Sequence, residues 1–271
     1  MTLPRIDIDL ACRSCGYDLR GIAADARCPE CGRPALESVL ESADPTAASL
    51  PPIDRPALAG ASLSTLVASI GVGSILIPVG AVVPDALAGA LARNAAIGCS
   101  CVALLAAVAL ARRFGSRGRR ARRILQLAAA GWCGAMIAMS IWPSLPAGVP
   151  LAAGSILIWS LRRPFDELGQ RCVRFRRQGA SRQRAGTLAM SAAIAGGASL
   201  LQPLLDRLAG PRAATWIDGL VLVEWIAGGL TFLGLVYLTA NSLVIARSLG
   251  QAAIDPERLL VRPARDGDAA G

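Results

Sequence analysis

Four cysteines near the start of the chain, Cys12, Cys15, Cys28 and Cys31, form two C-x-x-C pairs with twelve residues between them. Two tight turns of this kind each offer two thiolates, and four sulfurs can then converge tetrahedrally on one ion at about 2.3 Å. A glycine, Gly16 or Gly32, follows the second cysteine of each pair, where a positive φ lets the backbone amides point at sulfur. The chain has no histidine, so the ligand set is four cysteines and the site carries a net charge of minus two, partly offset by Arg13, Arg20, Arg27 and Arg33. Leu10 to Arg33 is too short to bury an adequate core, whereas a structural zinc site contributes roughly 10–16 kcal/mol of apparent binding free energy. Folding of this head is therefore expected to depend on metal.

Zinc is the expected ion and iron the alternative, because a tetrahedron of four sulfurs suits both. Tyr17 is the only aromatic residue before Leu58, a thin apolar shell for an electron-transfer iron. Disulfide pairing is disfavoured in a reducing compartment. Cys15-Gly16-Tyr17 with Cys28-Pro29-Glu30-Cys31-Gly32 is similar to the knuckles of rubredoxin-like domains. The longer stretch Cys12-x-x-Cys15-Gly16-Tyr17-Asp18-Leu19-Arg20-Gly21, then Arg27-Cys28-Pro29-Glu30-Cys31-Gly32, resembles the N-terminal zinc ribbon found on many uncharacterised bacterial membrane proteins. That resemblance covers about the first 33 residues. It implies the four cysteines as metal ligands and carries no activity with it.

Other chemistry is sparse. Without histidine, a Ser-His-Asp triad, a Cys-His pair and an H-E-x-x-H site are excluded, and no G-x-x-x-x-G-K phosphate loop occurs. No catalytic constellation emerges, and the chain is read as a non-enzyme. Residues 1–56 hold six arginines and nine acids, the wrong sign for a nucleic-acid partner. Cys99, Cys101 and Cys133 read as small core fillers, since residues two apart on a helix face different ways. Cys172 lies in a basic loop, where exposure would open it to palmitoylation or oxidation. Glu224 is the one charged residue inside an apolar run. It lies six residues beyond Asp218, about 9 Å along a helix, and so reads as near an interface, with Arg207 or Arg212 as partners.

The elements that carry these residues are mostly apolar. Of 271 residues, 54% are hydrophobic and only 17% charged, too apolar for a soluble domain of this length. No cleavable signal peptide is visible in Met1 to Ala11. The expected fold class is an all-α polytopic membrane bundle of about six transmembrane helices, preceded by a small β-rich zinc ribbon. Uncharged runs place the helices near 58–83, 94–111, 124–142, 145–161, 185–205 and 219–246. The fourth and third come from one 38-residue uncharged run, too long for a single crossing and broken at Pro143, Pro146 and Pro150. The domains are then a ribbon at 1–33, a proline-rich linker at 34–56, a transmembrane domain at 57–247 and a cytoplasmic tail at 248–271. That tail opens on a helix start at Asp255-Pro256-Glu257 and ends in a disordered 265–271.

Arginine sets the orientation. Arg112 to Arg123 carries seven arginines in twelve residues and Arg162 to Arg184 carries eight, and the positive-inside rule puts both loops in the cytoplasm. An even number of crossings then puts ribbon and tail in the cytoplasm of a bacterial inner membrane. Phe165, Leu168, Cys172, Val173 and Phe175 alternate with arginines, the pattern of an interfacial helix on anionic lipid, or of a coupling helix for a soluble partner. Small residues at Ala61, Thr65, Ser69 and Gly73, and at Ala189, Ala193 and Gly197, predict seams of close helix packing. The functional expectation is a membrane protein whose ribbon docks a protein partner or regulates. A transporter or permease component and an iron redox protein are the alternatives.

Overall fold

A computed structural model of the chain describes residues 5–7, 9–42, 50, 53–82, 86–113, 119–142, 144–172, 175–176, 185–209, 214–249 and 260–261. It divides into two compact units, one formed by Met1–Pro52 with Gln251–Gly271 and the other by Ile53–Gly250. The first is the head and the second the body. The helix start at Asp255, the segment 265–271, Pro143 and Arg212 lie outside the described residues.

The head begins with strand β1 (Arg5–Ile6) and ends its first run with helix α1 (Ala35–Ser42). Between them the chain makes two knuckles rather than a sheet. Beyond β1, extended pairing is limited to isolated bridges at Arg5 with Ala23, Ala11 with Asp18, and Arg27 with Pro34. The expected β-rich ribbon is thus poor in strand among the described residues, because the two turns consume the residues that would otherwise extend. Ile6, Leu10, Leu19, Ala35 and Val39 bury with Cys12 and Cys28 in one small core. Ala35 and Val39 are four apart on α1 and share its inner face. The head's core therefore runs past Arg33, where the ribbon was expected to end. A second strand, β2 (Leu260–Val261), pairs antiparallel with β1, Arg5 opposite Val261 and Ile6 opposite Leu260.

The body is helical: α2 (Pro56–Val82), α3 (Ala86–Ala111), α4 (Arg119–Ile141), α5 (Gly148–Ser160), α6 (Arg162–Gly169), α7 (Ala185–Ala209) and α8 (Ala214–Leu249). Five of them, α2, α3, α4, α7 and α8, are long and apolar enough to cross a membrane. Their outward faces carry side chains such as Leu105, Leu127, Leu208 and Leu233, all well exposed. Apolar exposure on this scale belongs against lipid. The fourth predicted span is shorter than expected. With 13 residues, α5 rises about 20 Å, against a hydrocarbon core of about 30 Å. Its far end is set by Pro164, which has no amide to meet the Ser160 carbonyl and crowds it sterically. Leu161 keeps a helical φ of −70° and ψ of −16°, so the chain bends there into α6 without stopping.

Each long helix packs on the next, α5 packs between α4 and α7, and α8 returns to α2, closing a ring of six. Gly60 faces Ala246 and Gly71 faces Leu235, which makes α2 and α8 antiparallel. Along α2, Leu63, Leu66, Val67 and Ile70 are fully buried, the i, i+3, i+4, i+7 spacing of a single inward stripe. Trp132 on α4 is the largest fully buried side chain. It fits because glycines stand opposite: a Cβ on Gly73 would come within 2.9 Å of its ring, and one on Gly154 within 3.4 Å.

The predicted small-residue seams are only half correct. Ser69, Gly73 and Ala189 are buried, but Ala61, Thr65 and Ala193 are exposed. Close approach falls instead at Gly60 against the Ala246 backbone and at Gly196 against Ala152. In alanine-rich helices, small residues recur every four positions on more than one face, so the spacing alone does not choose the seam.

The amphipathic stretch after α5 also differs from its expectation. Helix α6 touches α2 and α8, which stand across the ring from α5, so it crosses the arginine-rich end of the bundle. Phe165, Leu168, Cys172 and Phe175 join the body's core, with the two phenylalanine rings 6.2 Å apart. These four side chains meet protein instead of lipid, and Cys172, 1% exposed, is closed to palmitoylation, while Val173 lies outside the described residues.

Candidate metal centre

The two knuckles repeat one hydrogen-bond pattern at an offset of sixteen residues. The Gly16 amide donates to the Cys12 carbonyl at 2.8 Å, and the Gly32 amide to the Cys28 carbonyl at 2.9 Å. The Cys12 amide donates to the Tyr17 carbonyl and the Cys28 amide to the Arg33 carbonyl, each at 2.7 Å. Such a turn closes only if its fifth residue has positive φ, and Gly16 and Gly32 sit at +78° and +69°. For any residue with a Cβ this conformation costs roughly 1–2 kcal/mol. Nothing lies within 4 Å of a Cβ built at either position, so the backbone angle alone demands glycine.

This geometry brings the four predicted ligands together. Their sulfurs all lie within 4.8 Å of one another, with Cys12 to Cys31 and Cys15 to Cys28 each at 3.6 Å. A tetrahedron with metal–sulfur bonds of about 2.3 Å has an edge of about 3.8 Å. A disulfide would need about 2.05 Å, and all four thiols are free. The cluster could hold one metal ion, and its four soft sulfur donors fit zinc or iron. Cys12 and Cys28 are buried in the head's core while Cys15 and Cys31 face outward, so the site has one dry side and one open side.

The thiols cannot all ionise side by side without a cation. Amide hydrogen bonds from Cys15 and then Ser14 hold the Cys12 thiol down to about 6. At Cys15 the Tyr17 amide pulls the same way, but desolvation and the neighbouring Cys28, Cys31 and Cys12 sulfurs outweigh it and push the group up to about 12. One sulfur ionises readily, and its charge keeps the proton on the next. A divalent ion removes that penalty.

No family model, curated relative or solved structure matches the chain. The reading of the head therefore rests on its own geometry. Around the cluster, the Arg27 guanidinium donates to the Gly32 carbonyl at 3.1 Å, and Arg20 pairs with Asp9 at 3.1 Å. Arg27 thereby braces the second knuckle, while the Arg20 pair is exposed and adds little.

In the body, Glu224 on α8 accepts a 2.7 Å hydrogen bond from the Gln202 side chain on α7. Among the described residues the partner is this amide and not Arg207, and the sequence does not flag it because an uncharged glutamine does not interrupt an apolar run. Nearby, Thr231 donates to Ser191, whose hydroxyl reaches the Ala227 carbonyl at 2.8 Å. These contacts stitch α7 to α8. Cys99 lies beside Gly73 of α2, whereas Cys101 turns to Cys133 of α4, sulfur to sulfur 3.8 Å.

Proposed function

We propose that this chain is a six-crossing bacterial inner-membrane protein whose head and tail lie in the cytoplasm, and whose four cysteines hold a structural zinc. The head serves as a docking or regulatory module, and the chain is not an enzyme. The observation that carries this reading is the head itself: four converging sulfurs in a unit that also contains β2 from the far end of the sequence.

Pairing of β1 with β2 supports an even number of crossings, because an odd number would leave the two strands on opposite sides of the membrane. Counting α5 as the sixth crossing satisfies this. The turn before α5 and the bend into α6 extend its path beyond the 13 helical residues, and a short span is accommodated by local thinning at modest cost. Seven arginines between 112 and 123 and eight between 162 and 184 favour the cytoplasm for those ends. Trp142 and Trp216, both exposed at the ends of their helices away from the arginines, suit the outer interface. A cytoplasmic head keeps its thiols reduced for metal. The arginine-rich ends favour anionic lipid as a further contact.

The test uses the full chain purified in mild detergent. One zinc per chain and a colourless solution are expected, whereas colour with a reversible one-electron wave would replace zinc by iron. Reporter fusions after Ile6 and after Val261 should both report cytoplasm; opposite sides would end the six-crossing reading. Co-purifying proteins should be lost from the Cys28→Ser, Cys31→Ser double variant while the body stays folded. An unchanged set would remove the docking role.

A further inference from the structure

We propose that Cys101 and Cys133 form a dithiol redox site inside the membrane, which passes two electrons to a lipid-soluble quinone and closes to a disulfide between α3 and α4. The argument is independent of the metal in the head.

The first observation is proximity. Two free thiols on neighbouring helices stand with sulfurs 3.8 Å apart, already at van der Waals contact. The Ser100 hydroxyl, which donates to the Ile97 carbonyl at 2.7 Å, lies 3.5 Å from the Cys133 sulfur and fixes its position. Cys99 has no part in this, since it faces α2.

Depth is the second observation. Cys101 lies ten residues before Ala111 at the end of α3, and Cys133 ten residues after Arg123 on α4. Each is about 15 Å from the arginine-marked edge, half of a hydrocarbon core of about 30 Å. Charged oxidants such as glutathione disulfide do not enter that layer, so the co-reactant must dissolve in lipid.

The third is asymmetric access. Cys101 is exposed on the outward stripe that also carries Val102 and Leu105, open to a molecule moving in the bilayer. Cys133 is buried behind it, 6% exposed. A core filler has no reason to sit on the lipid face, whereas an entry thiol backed by a resolving thiol has this arrangement. In the net step two S–H bonds break and one S–S bond forms. The two electrons and two protons pass to the two quinone oxygens, giving quinol.

The test places the zinc-loaded full chain in lipid nanodiscs with a fully ring-substituted, short-tailed benzoquinone, which resists simple thiol addition. Two thiols per chain should disappear as one quinol forms, and peptide mapping should find Cys101 linked to Cys133. Cys101→Ser and Cys133→Ser, with helicity checked, should each slow quinol formation at least tenfold, while Cys99→Ser leaves it unchanged. Oxidised glutathione should not close the bond. Survival of both thiols in quinone, or closure at equal rate by glutathione disulfide, would overturn the proposal. So would closure by copper–phenanthroline with none by quinone, which would show proximity alone.

Discussion

Head and body use the same small residue for opposite purposes. In the head, Gly16 and Gly32 have empty space around them and are required by their positive φ. In the body, Gly60 and Gly73 have ordinary helical angles and are required by what stands opposite, the Ala246 backbone and the Trp132 ring. The contrast extends to what holds each unit together. The head buries a handful of apolar side chains and converges four sulfurs that could hold an ion, so its order is expected to depend on one. The body instead interlocks apolar faces.

Removing the ion should split the two units most sharply. Cys28→Ser, or a strong chelator, should raise proteolysis in the head roughly a hundredfold or more, because structural metal binding is folding free energy, while circular dichroism of the body stays within error. Helicity lost in proportion would break the distinction. Acid should do the same by degrees. Protons compete with metal for sulfur, so affinity rises with pH while metal-free thiols remain protonated, up to about 12 at Cys15. It falls more steeply below about 6, where Cys12 also takes a proton. Zinc added at neutral pH should release protons into a weakly buffered solution, and a proton-neutral titration would contradict the charge state argued for Cys15.

Single glycines sharpen the comparison. Gly60→Ala places a methyl 2.7 Å from the Ala246 Cα and should cost the body about 1–3 kcal/mol by overpacking, seen as a lower midpoint in thermal unfolding, with zinc affinity unchanged. Gly16→Ala should do the converse, weakening zinc about five- to thirtyfold for a backbone cost of about 1–2 kcal/mol and leaving the body's midpoint alone. Smallest should be Gln202→Leu. Loss of one intramembrane hydrogen bond to Glu224 is worth about 0.6 kcal/mol on average, so a shift of several kcal/mol would mark Glu224 as more than a stitch.

The parts of this architecture that were legible in the sequence are those set by local chemistry. Four cysteines at ligand spacing need no knowledge of the rest of the chain, and arginine blocks mark helix ends because charge is costly in lipid. Helix limits were less legible, since a helix continues through the headgroup layer: α3 carries Arg93, α4 begins at Arg119 and α8 includes Asp218. Contacts that depend on helix rotation left no signal at all. Gln202 with Glu224, and Cys101 with Cys133, are each unremarkable residues until two helices are turned toward each other. The pairing of Leu260–Val261 with Arg5–Ile6 is shorter still, two residues against two.

That last pairing sets an order of events during synthesis. Ile6 leaves the ribosome 254 residues ahead of Leu260, an interval of roughly 13 to 50 s at about 5–20 residues per second. Throughout it the backbone edge at Arg5–Ile6 has no β2 to meet, and any extended peptide in the vicinity competes for it. Its native partner emerges only after helices α2 to α8 have been made, so completion of the head waits on synthesis of the body.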